Sequence, residues 1–231
     1  MILKDVKKPV VILYRDIVTR KSLNELLNLG VGALYVITYL TKDKVPVVLA
    51  TEDLSTISDV GRSVNELSIN ELMKIKIKES ELVTIEELAR SVKDKMLLFI
   101  KLGIDDLDYV RYVVDALNKV NYLGKSAIVL HEVGLIKKVK EMWGSLGVNC
   151  MLYLTNPYPN ISMLKRAGID GLVMPYSLLR SRTVREAHTR GMDVIAWLVN
   201  DPAIFIKVSS LGVDGVITER PEIAREAEGL V

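Results

Sequence analysis

The sequence predicts an α/β fold: one (β/α)8 barrel over residues 1–231, with a small β-hairpin extension after the second strand. Three observations carry this expectation. An amphipathic stretch that ends in glycine, followed by an aliphatic residue and a short apolar run, recurs along the chain. Together with the strand-like runs that lack this punctuation, it counts to eight strand–helix units in 231 residues, the size of one such barrel. No glycine-rich phosphate fingerprint follows the first strand, which speaks against the competing doubly wound open sheet.

The elements follow in chain order. Val10–Tyr14 is the first buried run. Leu29-Gly30-Val31 punctuates the chain before Ala33–Thr38. Tyr35–Leu40 and Val45–Ala50 flank the turn Thr41-Lys42-Asp43-Lys44 and read as a local hairpin. In Lys74-Ile75-Lys76-Ile77-Lys78 charge alternates with isoleucine, which reads as a solvated strand edge protected by its lysines. Met96–Lys101 and Ser126–His131 are the next two strands. The last four units carry the punctuation: Gly147 before Cys150–Thr155, Gly168 before Gly171–Met174, Gly191 before Val194–Val199, Gly212 before Gly215–Thr218. A glycine just past a helix takes the left-handed conformation that ends it. The apolar run that follows is then buried on both faces, as in a parallel sheet. No linker or low-complexity tract interrupts the chain.

Composition limits the function classes. Apolar residues make up 49% of the chain, ample for a core. Lys and Arg number 31 against 29 Asp and Glu, a net +2. No field strong enough for nucleic acid or an anionic membrane results. The uncharged run from Met142 to Leu164 is long enough for a bilayer, but its glycines, asparagines and prolines rule out a lipid-exposed span. One cysteine, Cys150, excludes an internal disulfide and reads as inert core. Two histidines leave little for a His-based metal centre. A charged start without a cleavage site, and the single cysteine, point to the cytoplasm. Glutamine is absent, which points to a thermophilic source.

A barrel of this kind places its chemistry at the C-terminal ends of its strands. Those ends hold Tyr14-Arg15-Asp16, Ile37-Thr38, Ala50-Thr51, Lys101, His131-Glu132, Trp197 through Asn200, and Thr218-Glu219-Arg220. Few carboxylates converge there, and hard cations want several oxygens. Three cations, Arg15, Lys101 and Arg220, make an anion site instead.

Several pieces of the chain then share one resemblance. Trp197-Leu198-Val199-Asn200-Asp201, Leu211 through Pro221, Leu40 through Val48, and Val64-Asn65-Glu66-Leu67-Ser68 with Glu71-Leu72 resemble the glycerophosphodiester phosphodiesterase family. Order and spacing hold from about Val10 to Ala224. The resemblance implies a (β/α)8 barrel of the phosphodiesterase type, a role in lipid metabolism, cleavage of glycerol phosphodiesters, and a divalent cation working with two histidines. The departures weigh as much as the matches. The family's His-Arg-Gly is Tyr14-Arg15-Asp16 here, so only the arginine matches. Its two acidic ligands on the second strand become Tyr35 and Ile37, its His-Asp becomes Ala50-Thr51, and Lys101 stands for a ligating glutamate.

These substitutions set the expected site. No catalytic residue is assigned and no metal or other cofactor is expected. Arg15, Lys101 and Arg220 are read as anion ligands; Tyr14, Tyr35, Trp197, Asn200 and Glu219 as the pocket wall. Each has a plain structural alternative. Arg15 can pair with Asp16 or Glu219, and Lys101 with Asp105. Trp197 can be core, Asn200-Asp201 a helix cap before Pro202, and Glu219 an ordered loop residue. His131 and Glu132 are adjacent and face opposite ways, so they form no dyad. His188 reads as a helix-face residue. Three functions stay open: a catalytically impaired member holding a phosphate-bearing small molecule, an active phosphodiesterase with a rearranged site, and a structural or partner subunit, a homo-oligomer included, with a plugged mouth.

Overall fold

A computed structural model describes residues 2–3, 8–77, 80–93 and 95–230. Eight parallel strands close a barrel: β1 (Val10–Arg15), β2 (Ala33–Leu40), β4 (Leu97–Leu102), β5 (Ser126–Leu130), β6 (Asn149–Tyr153), β7 (Gly171–Pro175), β8 (Asp193–Trp197) and β9 (Gly215–Thr218). Each pairs with the next, and β9 returns to β1 through Val10↔Gly215 to Leu13↔Thr218. The short β3 (Pro46–Val48) lies outside the ring and pairs antiparallel with β2 through Thr38↔Val48 and Leu40↔Pro46. This is the expected barrel with its hairpin.

Helices α1 (Arg20–Asn28), α3 (Ile85–Val92), α4 (Leu107–Lys119), α5 (Val133–Trp143), α6 (Ile161–Arg166), α7 (Ser181–His188), α8 (Pro202–Ser210) and α9 (Ile223–Glu228) surround the ring; α2 (Ile69–Leu72) belongs to the segment between β3 and α3. Side chains alternate across each strand, and this sorts the core. Ile12, Ala33, Tyr35, Phe99, Val129, Met151, Val173, Ile195 and Ile217 fill the barrel interior. Their neighbours Leu13, Leu34, Leu98, Ile128, Leu152, Leu172, Val194 and Val216 pack outward against the helices. The punctuating glycines Gly30, Gly147, Gly168, Gly191 and Gly212 all have positive φ, from 63° to 86°.

A third cluster gives residues 47–82 a core of their own, around Val47, Leu49, Leu54, Val64, Leu67, Leu72, Ile77 and Leu82. The lysine–isoleucine alternation falls here and differs from the expected strand edge. Only an isolated bridge, Ile77↔Ser80, forms, and Lys78 lies outside the described residues. The faces are as expected: Ile77 is buried, while Lys76 reaches out to Glu81 at 2.7 Å.

Strands β5, β6 and β8 end earlier than expected, at Leu130, Tyr153 and Trp197. His131, Leu154-Thr155 and Leu198-Val199 begin the loops of the mouth, although the Leu154 and Val199 amides still donate to the Val173 and Ile217 carbonyls at 2.9 Å. Hydrophobicity alone continues through these residues and hides the boundary.

Aspartates organise the opposite end of the ring. Ahead of β7, the Asp170 amide donates to the Cys150 carbonyl at 2.9 Å, and its Oδ2 accepts from the Cys150 amide at 2.8 Å. Ahead of β9, Asp214 does the same to Val194, at 2.8 and 2.7 Å. Asp214 also takes Lys8 and the His188 Nε2 at 2.8 Å, so His188 is an anchored residue rather than a bare helix-face one. Buried Asp193 accepts from the Ile2 and Leu3 amides through Oδ2, at 2.7 and 3.3 Å. Its Oδ1 has no partner among the described residues.

Candidate functional site

The inward register continues to the C-terminal ends of the strands. Val10 and Ile12 place Tyr14 inward on β1, and Ala33 and Tyr35 place Ile37 inward on β2. Leu97 and Phe99 do so for Lys101 on β4, and Ala127 and Val129 for His131 after β5. Trp197 follows Ile195 on β8.

Aromatic rings fill the top of the barrel. Trp197 lies 5.3 Å from Tyr14, 5.2 Å from Tyr35 and 6.4 Å from Tyr153 between ring centroids. Tyr14 and Tyr35 meet edge-on at 5.9 Å. Such geometries suit the ring quadrupoles. Burial first, then the Asp16 carboxylate, pushes the Tyr14 hydroxyl above the ordinary phenol range. Burial does the same to Tyr35, with Tyr153 and Tyr14 adding to it. Both phenols stay protonated at neutral pH. The wall residues Tyr14, Tyr35 and Trp197 are thus brought together, but as a packed layer over the interior.

Asn200 and Glu219 staple two loops. The Asn200 Oδ1 accepts from the Thr218 hydroxyl at 3.0 Å and the Glu219 amide at 2.9 Å, while its Nδ2 donates to the Glu219 carboxylate. Asp201 caps α8, accepting from the Ile204 amide at 3.0 Å with Pro202 in the first turn. A cavity of about 330 Å³ lies beside this staple, lined by Tyr176, Leu198, Val199, Asn200, Asp201 and Ile204.

The three cations part company. Arg220 donates to the Asn200 carbonyl at 3.0 Å, to Glu222 at 3.1 Å and to both Glu226 carboxylate oxygens at 2.6 Å. Two carboxylates already neutralise it. Their helix-side positions carried no sign of this pairing in the strand-end reading. Arg15 donates Nη1 to the Tyr14 and Glu219 carbonyls, each at 3.2 Å, and makes no ion pair with Asp16 or Glu219 among the described residues. Lys101 is half-buried on the inner face, and its ammonium has no hydrogen bond or ion pair among the described residues.

The carboxylate expected to neutralise Lys101 is occupied elsewhere. Asp105 Oδ2 accepts from the His131 amide at 2.6 Å and sits 3.3 Å from His131 Nδ1. The imidazole rests against Tyr153, 5.2 Å between centroids. His131 has no dyad with Glu132 in the sequence, and its actual partner, Asp105, lies 26 residues away, where only the β4–α4 loop brings it close. Register gives the signal: Lys101 pairs with Val129, two residues before His131.

The donors at the family's ligand positions do not fit a divalent cation. Two are protonated phenols, Ile37 and Ala50 carry no donor, and Lys101 is itself a cation. Oxygen-rich coordination has nothing to start from. Among the described residues no group of three or more His, Cys, Asp or Glu could hold a metal ion. No helix among them is long and apolar enough to cross a membrane.

Known structures share this architecture. An Oleispira antarctica phosphodiesterase, solved with the product sn-glycerol-3-phosphate, superposes with a TM-score of 0.81 at 18% identity, over 96% of this chain and 97% of its own. A glycerophosphodiester phosphodiesterase from Parabacteroides distasonis gives 0.78 at 21% identity, over 96% and 95%. Another from Thermotoga maritima gives 0.77 at 16%, over 96% and 99%. These likenesses are of fold. No curated protein matches the sequence. The profile described as the glycerophosphoryl diester phosphodiesterase family does match it, over residues 32–223, from the second strand to the last helix. By that match this chain belongs to the glycerophosphoryl diester phosphodiesterase family.

Proposed function

We propose that this barrel holds a phosphate-bearing small molecule at its mouth without a divalent cation, and that it does not carry out metal-dependent phosphodiester hydrolysis. The observation that carries this reading is Lys101. It is an inward-facing, half-buried ammonium without a carboxylate partner among the described residues, at the position of a family ligand. A half-buried cation left without protein counter-charge attracts an anion more strongly than a solvated one. Arg15, with only one guanidinium nitrogen engaged, follows inward-facing Tyr14 and so leaves β1 on the other face; it is a further donor at the C-terminal rim. Phosphate recognition by these two groups needs no metal.

The absence of hydrolysis follows from the same residues. The family's metal-assisted route, as the resemblance implies it, needs a bound Lewis acid and proton exchange at the positions of the family's histidines. Tyr14 and Tyr35 keep their protons, and Ile37 and Ala50 have none to exchange. The product seen with the Oleispira antarctica relative makes sn-glycerol-3-phosphate the first ligand to try. Calorimetry in EDTA checks the reading: binding is expected in the wild type and at least tenfold weaker in Lys101→Ala. Glycerol phosphate release from glycerophosphodiesters is expected to stay at the blank with Mg²⁺ or Ca²⁺. Metal-stimulated turnover, or Lys101→Ala binding like wild type, sinks it.

A second reading has its own observation. The packed layer of Tyr14, Tyr35, Tyr153 and Trp197 plugs the barrel and favours a structural or partner subunit. Failure of any phosphate ester to bind decides for it.

A further inference from the structure

We infer that His131, oriented by Asp105, is a specificity-determining residue of the mouth: it selects a phosphate ester that carries its own hydroxyl. This inference rests on the reading of Lys101 as the phosphate donor. A single carboxylate oxygen, Asp105 Oδ2, receives the His131 backbone amide at 2.6 Å and faces the ring Nδ1 at 3.3 Å. An ionised carboxylate only accepts, so in the neutral imidazole it draws the ring proton to Nδ1. Nε2 is then a hydrogen-bond acceptor, and it has no partner among the described residues. The Tyr153 ring packs against the imidazole, tilted, with 5.2 Å between centroids. The His131 side chain is 42% exposed and Asp105 only 14%, so the orienting group is the more covered of the two.

His131 and Lys101 are placed to serve one ligand. Lys101 pairs with Val129, and His131 follows two residues on, just past the end of the adjacent strand. Strand spacing puts Lys101 and Val129 about 5 Å apart, so the two side chains leave neighbouring strand ends. A phosphate on the Lys101 ammonium leaves an adjoining hydroxyl within reach of Nε2. The pair therefore offers a donor for the anion and an acceptor for a neutral O–H. Inorganic phosphate or a bare alkyl phosphate uses only the first. A polar site built to receive a hydroxyl discriminates against the analogue that lacks it, because the acceptor is left without a partner.

Calorimetry in EDTA with methyl phosphate and sn-glycerol-3-phosphate tests this. The wild type is expected to prefer the hydroxylated ester by about tenfold, the size of one well-placed hydrogen bond. His131→Phe keeps the ring against Tyr153 and removes Nε2; the preference falls to about one while methyl phosphate binds as before. Asp105→Asn reduces the preference part of the way. The ¹⁵N resonance of His131 Nε2 in the wild type shifts with sn-glycerol-3-phosphate and not with methyl phosphate. An unchanged preference in His131→Phe, or equal wild-type affinities, overturns the role of His131 and leaves that of Lys101 standing. Failure of both esters to bind overturns the two together.

Discussion

At the scale of single residues, Asp193 shows how a covered carboxylate departs from its free behaviour. Burial raises its pKa above the ordinary aspartate value, the nearby Asp214 carboxylate adds to the rise, and the Leu3 and Ile2 amides oppose it. A group whose pKa is raised on folding contributes stability that is present at low pH and lost as pH climbs through the folded value. As pH climbs through that raised value, ionising Asp193 therefore weakens the fold. Asp193→Asn removes the charge and keeps an oxygen for the two amides. We predict a melting temperature about 2–4 °C higher at pH 7, the change that about 1 kcal/mol produces in a chain of this size. The gain vanishes below about pH 4, where the wild-type carboxyl is neutral in both states. Calorimetric melts at both pH values check it; a lower Tm at pH 7 refutes it. Lys101 and Arg220 make the complementary point. Both are strand-end cations by position, but Glu222 and Glu226 neutralise one while Asp105 turns to His131 instead of the other.

At the scale of elements, the same short motif is used twice. Ala167-Gly168-Ile169-Asp170-Gly171 and Leu211-Gly212-Val213-Asp214-Gly215 each end a helix with a left-handed glycine. Each then locks the adjacent strand with the aspartate's amide and carboxylate together. Each aspartate also takes a lysine, Lys140 at 2.9 Å for Asp170 and Lys8 for Asp214. The spacing of the glycines was plain in the sequence; the cross-strand lock was not, because Val194 and Asp214 are 20 residues apart. Asp214→Ala leaves the Val194 amide, Lys8 and His188 without their acceptor. We predict a loss of about 3–5 kcal/mol, the usual cost of breaking a covered ion pair from one side. Asp214→Asn keeps an acceptor for the Val194 amide and loses less. Urea unfolding curves of the two variants measure the difference, and equal losses would place the whole effect in charge.

At the scale of the whole molecule, the barrel stores its weak acids out of water. Burial pushes the Cys150 thiol up to about 12 and raises the phenols of Tyr14, Tyr35 and Tyr109. All four ionise more readily in the unfolded chain. Stability is thus complete below the unfolded values and falls as pH rises through them. The Cys150 thiol alone contributes a decline of about 1.4 kcal/mol per pH unit, from about pH 9. The fold is predicted to lose stability steeply above that pH. Cys150→Ala is predicted to flatten the first part of the decline, whatever its stability at pH 7. Denaturant midpoints measured from pH 7 to 11 provide the check, and a flat wild-type profile contradicts the account.

The barrel and its hairpin were legible along the chain, as were the residue types that stand at its strand ends. Period-two burial, glycine-ended helices and residue identity are local properties, and local properties are written in the chain. It placed Tyr14, Tyr35 and Trp197 at the mouth but left their packing open. Only the tertiary structure decided that these rings close over the interior, that Arg220 is neutralised by its own last helix, and that Asp105 chooses His131 over Lys101. Those are choices of partner between segments far apart in sequence. Strand register and loop path set them, and no periodicity along the chain records either.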